Sequence, residues 1–358
     1  MGEAKLKNTR FIAFASERRL FMLTIAYIGN GKSTNRYHLP FATQVEGITV
    51  KTIYNRSLKD TWQRLAGVTY TTDLQAVLQD PQIQLVVVAT PAHTHVDFAT
   101  ACLNHGKHVL VEKPFCRTAK EAEELFELAK AKNLLLQCYQ NRRFDSDFLT
   151  TQAVIERGVL GTILEVEMHF DYYRPEIPEA NTEFSALDSF LYGHGCHTLD
   201  QALSYFGQPE RVHYDVRQLL GEGRMNDYFD IDLYYGPMKV SVKSSYFRLK
   251  ERPSFVVYGT KGVFVKQTKD RQEADLKRFY LPGQADFGQD QPEHYGLLTY
   301  LDESGQWHEE RVPSLTGDYS RIYEGLYRSI IHGEEKIVKD HETIQLLNIL
   351  EAGIEPLH

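Results

Sequence analysis

The strongest constraint on this chain is an alternation that begins at Met22. Short apolar runs recur as "LTIAYIG", "ITVKTIYNRS", "IQLVVVATP", "KHVLVEKP" and "NLLLQCYQ". They are rich in Val, Ile and Leu and too apolar for one face to meet water, so they read as buried parallel strands. Helical patterns lie between them. "DLQAVLQDP" is short, and "HTHVDFATACLNHG" sets Val96, Ala99 and Leu103 at helical spacing before a glycine stop. "TAKEAEELFELAKAKN" opens on Thr118 with Glu121 three residues later, a capping box, and carries Ala122, Leu125, Phe126 and Ala129 on one face. Strand alternating with helix predicts a doubly wound α/β sheet of Rossmann type.

The texture changes near position 145. In "TILEVEMHFDYYR", Leu164, Val166, Met168, Phe170 and Tyr172 alternate with Glu165, Glu167, His169, Asp171 and Tyr173. A period of two with one polar face predicts an open, mainly antiparallel sheet. Further strands follow in "RVHYDVRQ", "DYFDIDLYYG", "MKVSVKSSYF", "SFVVYG" and "GVFVKQ", and two helices close the chain. The expected organisation is a dinucleotide-binding domain over 22–141 and an α+β substrate-binding and oligomerisation domain over 142–358. The stretch 1–21 lacks the apolar core of a signal peptide and reads as a non-native or loosely attached extension.

Composition narrows the partners. A formal net charge of -8 over 358 residues argues against nucleic acid. No run of 18 apolar residues is present, so no membrane span is expected. Cys102, Cys116, Cys138 and Cys196 are scattered with no CxxC, which fits reduced thiols in a cytoplasm.

The first strand runs into "GNGKSTN", with Gly29, Gly31 and Ser33, and with Thr34 where a third glycine of a dinucleotide turn would fall. Such glycines allow the backbone close to a pyrophosphate, and the helix N-terminus that follows favours its charge. The second strand ends in Asn55, Arg56 and Ser57, with no carboxylate before Asp60. An acid there would bind the ribose 2′-hydroxyl of NAD, whereas a guanidinium and a hydroxyl suit a 2′-phosphate. NADP is therefore expected, with NAD the other possibility.

"ATPAHTHVDFATACLNHGKHVLVEKPF" carries a more specific signal. Thr90, Pro91, His95, Gly106, Lys107, His108, Val109, Glu112, Lys113 and Pro114 resemble, in order and spacing, the glucose–fructose oxidoreductase / inositol dehydrogenase (Gfo/Idh/MocA) family. Ala92 departs from the small polar residue usual after Thr-Pro. The resemblance continues through "YQNRRFDSDFLT", "YYRPE" and "HTLDQALSYFG", covers Met22 to the C-terminus, and is nearest to the NADP-dependent scyllo-inositol dehydrogenase branch. It implies reversible hydride transfer between a nicotinamide and a sugar or polyol carbon, and a homodimer or homotetramer built on the open sheet. It puts Thr90, Pro91, His95, Glu112 and Asn141 at the cofactor, makes Lys113 a catalytic residue, and implies a cis peptide before Pro114. Asn141 and Arg142 fall at the domain junction, where they contact nicotinamide or substrate or else form an inter-domain network. Tyr173 and Arg174 are expected at the substrate, although Arg174 can equally pair with Glu176.

"LYGHGCHTLD" packs His194, Cys196, His197 and Asp200 into a short stretch. With no HExxH and no second cysteine pair, a metal is not expected. The family pattern Asp-x-Gly-x-His-x-x-Asp aligns on Gly195, His197 and Asp200, and places Gly193 where an aspartate partners the histidine. His197 is then the expected general base, with His194 and Asp200 beside the substrate and Asp200 orienting the imidazole. Three explanations of the missing acid stay open. His194, Asp171 or Asp188 completes the pair; the substrate lacks the hydroxyl that the acid would bind; or the protein is a non-catalytic NADP/sugar sensor.

Overall fold

The computed structural model describes residues 21–58, 61–176, 184–221 and 224–357, and the stretch 1–20 lies outside them. The first sheet is built from β1 (Leu23–Ile28), β2 (Ile48–Tyr54), β3 (Thr69–Thr71), β4 (Leu85–Val88), β5 (His108–Val111) and β6 (Leu136–Cys138). All six strands are parallel, in the order β3-β2-β1-β4-β5-β6. Helices α1 (Leu39–Ala42), α2 (Gln75–Leu78), α3 (His95–Asn104) and α4 (Ala119–Ala131) connect them. The order reverses between β1 and β4, which opens a crevice at the C-terminal ends of those two strands. Every residue of β4 is buried, as its "LVVV" run requires. The capping box of α4 forms: Thr118 accepts from the Glu121 amide, and the Glu121 carboxylate accepts from the Thr118 amide.

After α5 (Ser146–Glu156) the chain enters the second sheet with β7 (Ile163–His169), and α6 (Cys196–Phe206) precedes the strands that complete it. These are β8 (Arg211–Arg217), β9 (Tyr228–Tyr235), β10 (Met238–Ser245), β11 (Phe255–Gly259), β12 (Gly262–Lys266), β13 (Gly296–Leu301) and β14 (Trp307–Val312). Their order is β14-β13-β12-β11-β7-β10-β9-β8, antiparallel except where β7 meets β10. Val166, Met168, Val240, Val242, Ile231, Leu233, Phe255 and Val257 share the buried face. The opposite face carries charge pairs such as Lys239–Glu165 at 2.8 Å and Lys243–Asp230 at 3.4 Å. The polar side of β7 is not exposed throughout. His169 and Asp171 are buried, His169 against the Pro253 carbonyl and Asp171 in a two-pronged pair with Arg252.

The remaining helices are α7 (Gln272–Lys277), α8 (Ser320–His332) and α9 (Asp340–Ile354). The last two return to the first sheet. Tyr323 of α8 bonds the Tyr27 hydroxyl of β1 at 3.1 Å, and Glu351 of α9 accepts the amide of Ala119 at the start of α4 at 2.6 Å. The C-terminal helices thus clamp the two sheets together around their junction.

Candidate active site

The nucleotide end is shaped by β1 and the turn after it. Gly29 adopts φ +110°, and a Cβ there would lie 2.2 Å from the Ala89 carbonyl oxygen, so only glycine lets β1 and β4 close at the crevice. Gly29, Gly31, Asn55, Arg56, Thr90 and Pro91 line one cleft of about 200 Å³, together with Asn30, Tyr54, His93, Thr94 and Phe98. A second cleft of about 270 Å³ runs from Asn30 and Gly31 past Arg56 and Ser57 to Trp62. Arg56 stands exposed between the two and has no carboxylate partner among the described residues. Asn55 is occupied in shaping the turn, accepting from the Asn30 amide and donating to the Ser57 carbonyl at 2.6 Å.

Several residues expected at the cofactor instead hold its frame. Thr34 is buried and its hydroxyl donates to the Gly29 carbonyl at 2.8 Å, so the residue replacing the third glycine braces the turn from behind. His95 is buried beneath Thr90 and Pro114, with both ring nitrogens 2.9 Å from their carbonyls. Both Glu112 oxygens are engaged. Oε1 accepts from Ser33 and from His38 Nε2, and Oε2 accepts the Lys113 amide at 2.9 Å. Burial alone would push the Glu112 carboxyl up, but His38, Lys113 and Ser33 together hold it down at about 2. His38 itself is fully buried and passes the network on to Tyr323 at 2.6 Å. It ends a short π-helical stretch, Thr34–His38, and nothing in its sequence neighbourhood marks this role.

Lys113 follows β5 and precedes a cis proline peptide. Its ammonium reaches across to the second domain and lies 3.4 Å from the Gly193 carbonyl, in the turn Leu191–Gly195 that leads into α6. His197 sits in the first turn of α6, only 7% exposed, and its Nδ1 has no hydrogen-bond partner. Burial, Lys113, Arg142 and His194 all push its pKa well below the usual histidine range. His194 is held by the Tyr172 hydroxyl at 3.1 Å from Nδ1, and burial beside Lys113 and Arg142 lowers its pKa to about 3. The first sheet and the start of α6 therefore bring Lys113, His194 and His197 into one junction.

Other expectations for this junction are corrected. Asp200 does not orient His197 or face a substrate: it is 1% exposed and receives Arg143 through two bonds of 2.7 Å. Arg142 is occupied by Asp145 and Glu273 and covered by the Phe170 ring at 4.7 Å, which leaves the inter-domain network as its role. Asn141 is buried in the turn 141–144 that opens this network. Tyr172, rather than the half-exposed Tyr173, reaches His194. Arg174 pairs with no acid among the described residues and stacks over the Tyr172 ring at 4.3 Å. None of the proposed replacements for the missing acid is hydrogen-bonded to His197, although His194 lies close enough to lower its pKa. Asp171 is held by Arg252, His194 bonds Tyr172, and Asp188 is exposed. Among the described residues no group of three His, Cys, Asp or Glu side chains converges on a metal-sized site.

Residues 23–140 match the family model described as "Oxidoreductase family, NAD-binding Rossmann fold", and 152–356 match its "C-terminal alpha/beta domain". The chain belongs to the Gfo/Idh/MocA oxidoreductase family. It is 44% identical over 337 residues to the uncharacterized oxidoreductase YhhX of Escherichia coli, covering 93% of this chain and 96% of that one. It is 31% identical over 339 residues to scyllo-inositol 2-dehydrogenase (NADP(+)) IolW of Bacillus subtilis, covering 94% of each. A solved oxidoreductase from Bacillus cereus superposes with a TM-score of 0.89 at 43% identity, over 93% of this chain and 96% of that one. Membership makes the Rossmann domain a nicotinamide-binding domain. No helix among the described residues is long and apolar enough to cross a membrane.

Proposed function

We propose that this chain catalyses reversible NADP(H)-dependent hydride transfer at a CH–OH carbon of a sugar or polyol. The observation that carries the reading is the junction itself, where Lys113, just past the end of β5, reaches the Gly193 carbonyl and lies close enough to His197 to lower its pKa; the ends of β1, β2 and β4 in the same sheet carry the cleft of Arg56. The glycine turn and Arg56 fit a dinucleotide with a 2′-phosphate, because the turn leaves backbone room and the guanidinium is free of any described carboxylate. When bound, the nicotinamide accepts or supplies the hydride. The chain's own groups handle the proton and the charge. His197 takes the hydroxyl proton as the carbonyl forms, and gives it back in reduction. Lys113 stabilises the negative charge developing on the substrate oxygen.

Two further points belong to the same reading. All four cysteines are free and buried, which suits a reducing cytoplasm. The open face of the second sheet, with exposed Tyr258 and Leu297 among its charge pairs, is proposed as the surface of a homodimer or homotetramer, to be checked by light scattering. The decisive test of function is a screen of inositols, aldoses and their keto forms with both nicotinamides, followed at 340 nm. Turnover that disappears in Lys113→Ala and in His197→Ala is expected. NADPH binding without turnover of any compound would replace the enzyme with a sensor of the same fold.

A further inference from the structure

We infer that the substrate is a sugar acid whose carboxylate sits in the space beside Gly193, between the Lys113 ammonium and the Arg174 guanidinium. This rests on the oxidoreductase reading above and names the substrate class of that site.

The first observation is room. A Cβ built on Gly193 meets no atom within 4 Å. Gly193 is not among the positive-φ glycines, so its backbone does not demand glycine. A side chain would be tolerated there in both shape and conformation, and the chain carries none. The residue whose carbonyl faces the Lys113 ammonium thus leaves open space where a side chain would stand, and a planar carboxylate suits such a place.

The second observation is uncompensated charge. Lys113 has no carboxylate within salt-bridge distance among the described residues, and its ammonium touches only the Gly193 carbonyl. Every nearby acid is engaged elsewhere. Glu112 is bound by Ser33, His38 and the Lys113 amide. Asp171 is bound by Arg252, Asp200 by Arg143, and Glu273 by Arg142 and Lys277. Arg174 has no acidic partner among the described residues. It is held flat by the Tyr172 ring at 4.3 Å and lies 5.9 Å from the Tyr246 ring centre, so its donors are pre-organised at little entropic cost. Tyr172 in turn bonds His194, the neighbour of Gly193, and Lys113 and Arg174 both lie close enough to His194 to lower its pKa, so both cations border the same neighbourhood. Lys113 is half-buried without a counter-ion, which is costly, and a bound anion removes that cost, while the exposed Arg174 guanidinium offers its charge from the solvent side.

The third observation is His197. Its buried Nδ1 lacks a partner, and the cations around it oppose the imidazolium that would form when it takes a proton. A substrate carboxylate beside Lys113 supplies the opposite charge that the chain omits. The acid then raises the basicity of His197 only when bound, which couples proton transfer to recognition of the right substrate.

The test measures binding and turnover on the full chain with saturating NADPH, and again with NADH. Calorimetry compares three matched pairs: D-glucitol with D-gluconate, D-glucose with D-glucuronate, and D-galactose with D-galacturonate. In at least one pair the acid is expected to bind at least tenfold more tightly than its neutral partner. Arg174→Gln and Gly193→Asp, checked for native folding by circular dichroism, are each expected to cut that preference to threefold or less. The proposal is overturned if the neutral member binds as tightly in every pair, or if the preference survives both substitutions. Parallel assays at 340 nm separate the two readings. Preference for the acid without any turnover would sink the oxidoreductase reading and keep the anion site. Turnover of neutral sugars with no acid preference would do the reverse.

Discussion

The Lys113 ammonium lies 3.4 Å from the main-chain carbonyl oxygen of Gly193, where a side-chain carboxylate would ordinarily be looked for. A carbonyl orients an ammonium without supplying a counter-charge, so no described ion pair competes with the reacting oxygen for it. Lys113→Met should therefore lower kcat by roughly 10²–10³, the cost of removing one pre-organised stabiliser of developing negative charge. The thermal midpoint should move little, because the ammonium makes no ion pair in the described protein. A steady-state assay beside a melting curve checks both halves.

Arg56 stands at the meeting point of the two nucleotide clefts with no described counter-ion. Arg56→Ala should weaken NADPH roughly tenfold to a hundredfold, the range of about 1.5–3 kcal/mol for hydrogen bonds to charged groups. NADH, with no 2′-phosphate, should lose less than threefold. Fluorescence titration of both cofactors reads the difference, and equal losses would remove the basis for NADP.

His197 is held well below the usual histidine range by burial and by Lys113, Arg142 and His194. A base is lost when it is protonated, and a lowered pKa delays that loss to lower pH. The acid limb of kcat/KM should therefore lie below the ordinary histidine value of about 6.5. Gly193→Asp places a carboxylate near the imidazole and should move that limb upward. A pH–rate profile of the two proteins measures the sign.

Much of this arrangement was legible locally, and what was not has a common cause. The α4 capping box and the buried β4 run are short-range patterns and each appears as read, and the motif around Lys113 brings the cis peptide before Pro114 that the resemblance implies. By contrast β14 carries "WHEERV" on an exposed edge, and β3 has only three residues, so neither shows a buried alternation. Helix α5 buries Ser146, Asp147, Thr150 and Thr151, whose polar atoms are satisfied in part by i−4 carbonyls, so its inner face does not look apolar. The site residues misread from sequence failed for a related reason. Asp200 finds Arg143 at 57 positions' distance, Asp171 finds Arg252 at 81, and Arg142 finds Glu273 at 131. No local spacing announces which charge a distant element will bring.

Asp200 and Arg143 form a buried two-pronged pair with Glu342 added on the arginine. Removing one partner strands the other charge in the interior. Asp200→Ala should cost roughly 3–5 kcal/mol of stability, measured by urea unfolding. If Asp200 oriented His197 instead, the variant would keep its stability and lose kcat alone.

Glu112 supplies a pH test of the frame beneath the cofactor turn. Its carboxyl is held at about 2 in the fold because the bonds from His38 and Ser33 and the nearby charge of Lys113 outweigh burial. In the unfolded chain it returns to the ordinary glutamate range near 4.3. Between those values the unfolded chain binds the extra proton, so stability falls with falling pH. The contribution is complete above the unfolded pKa and lost as pH drops through about 2. Glu112→Gln removes the charged acceptor for His38 and Ser33 and should be less stable than the parent at pH 7, by about 1.5–3 kcal/mol for the charged bonds. The gap should narrow as pH falls from 4.5 toward 3, since the unfolded parent then takes up a proton that the folded parent does not, and the variant has no such group. Denaturant titrations of both proteins at pH 7, 4.5 and 3 measure that convergence; parallel curves across the three pH values would show that the Glu112 charge does not hold the turn.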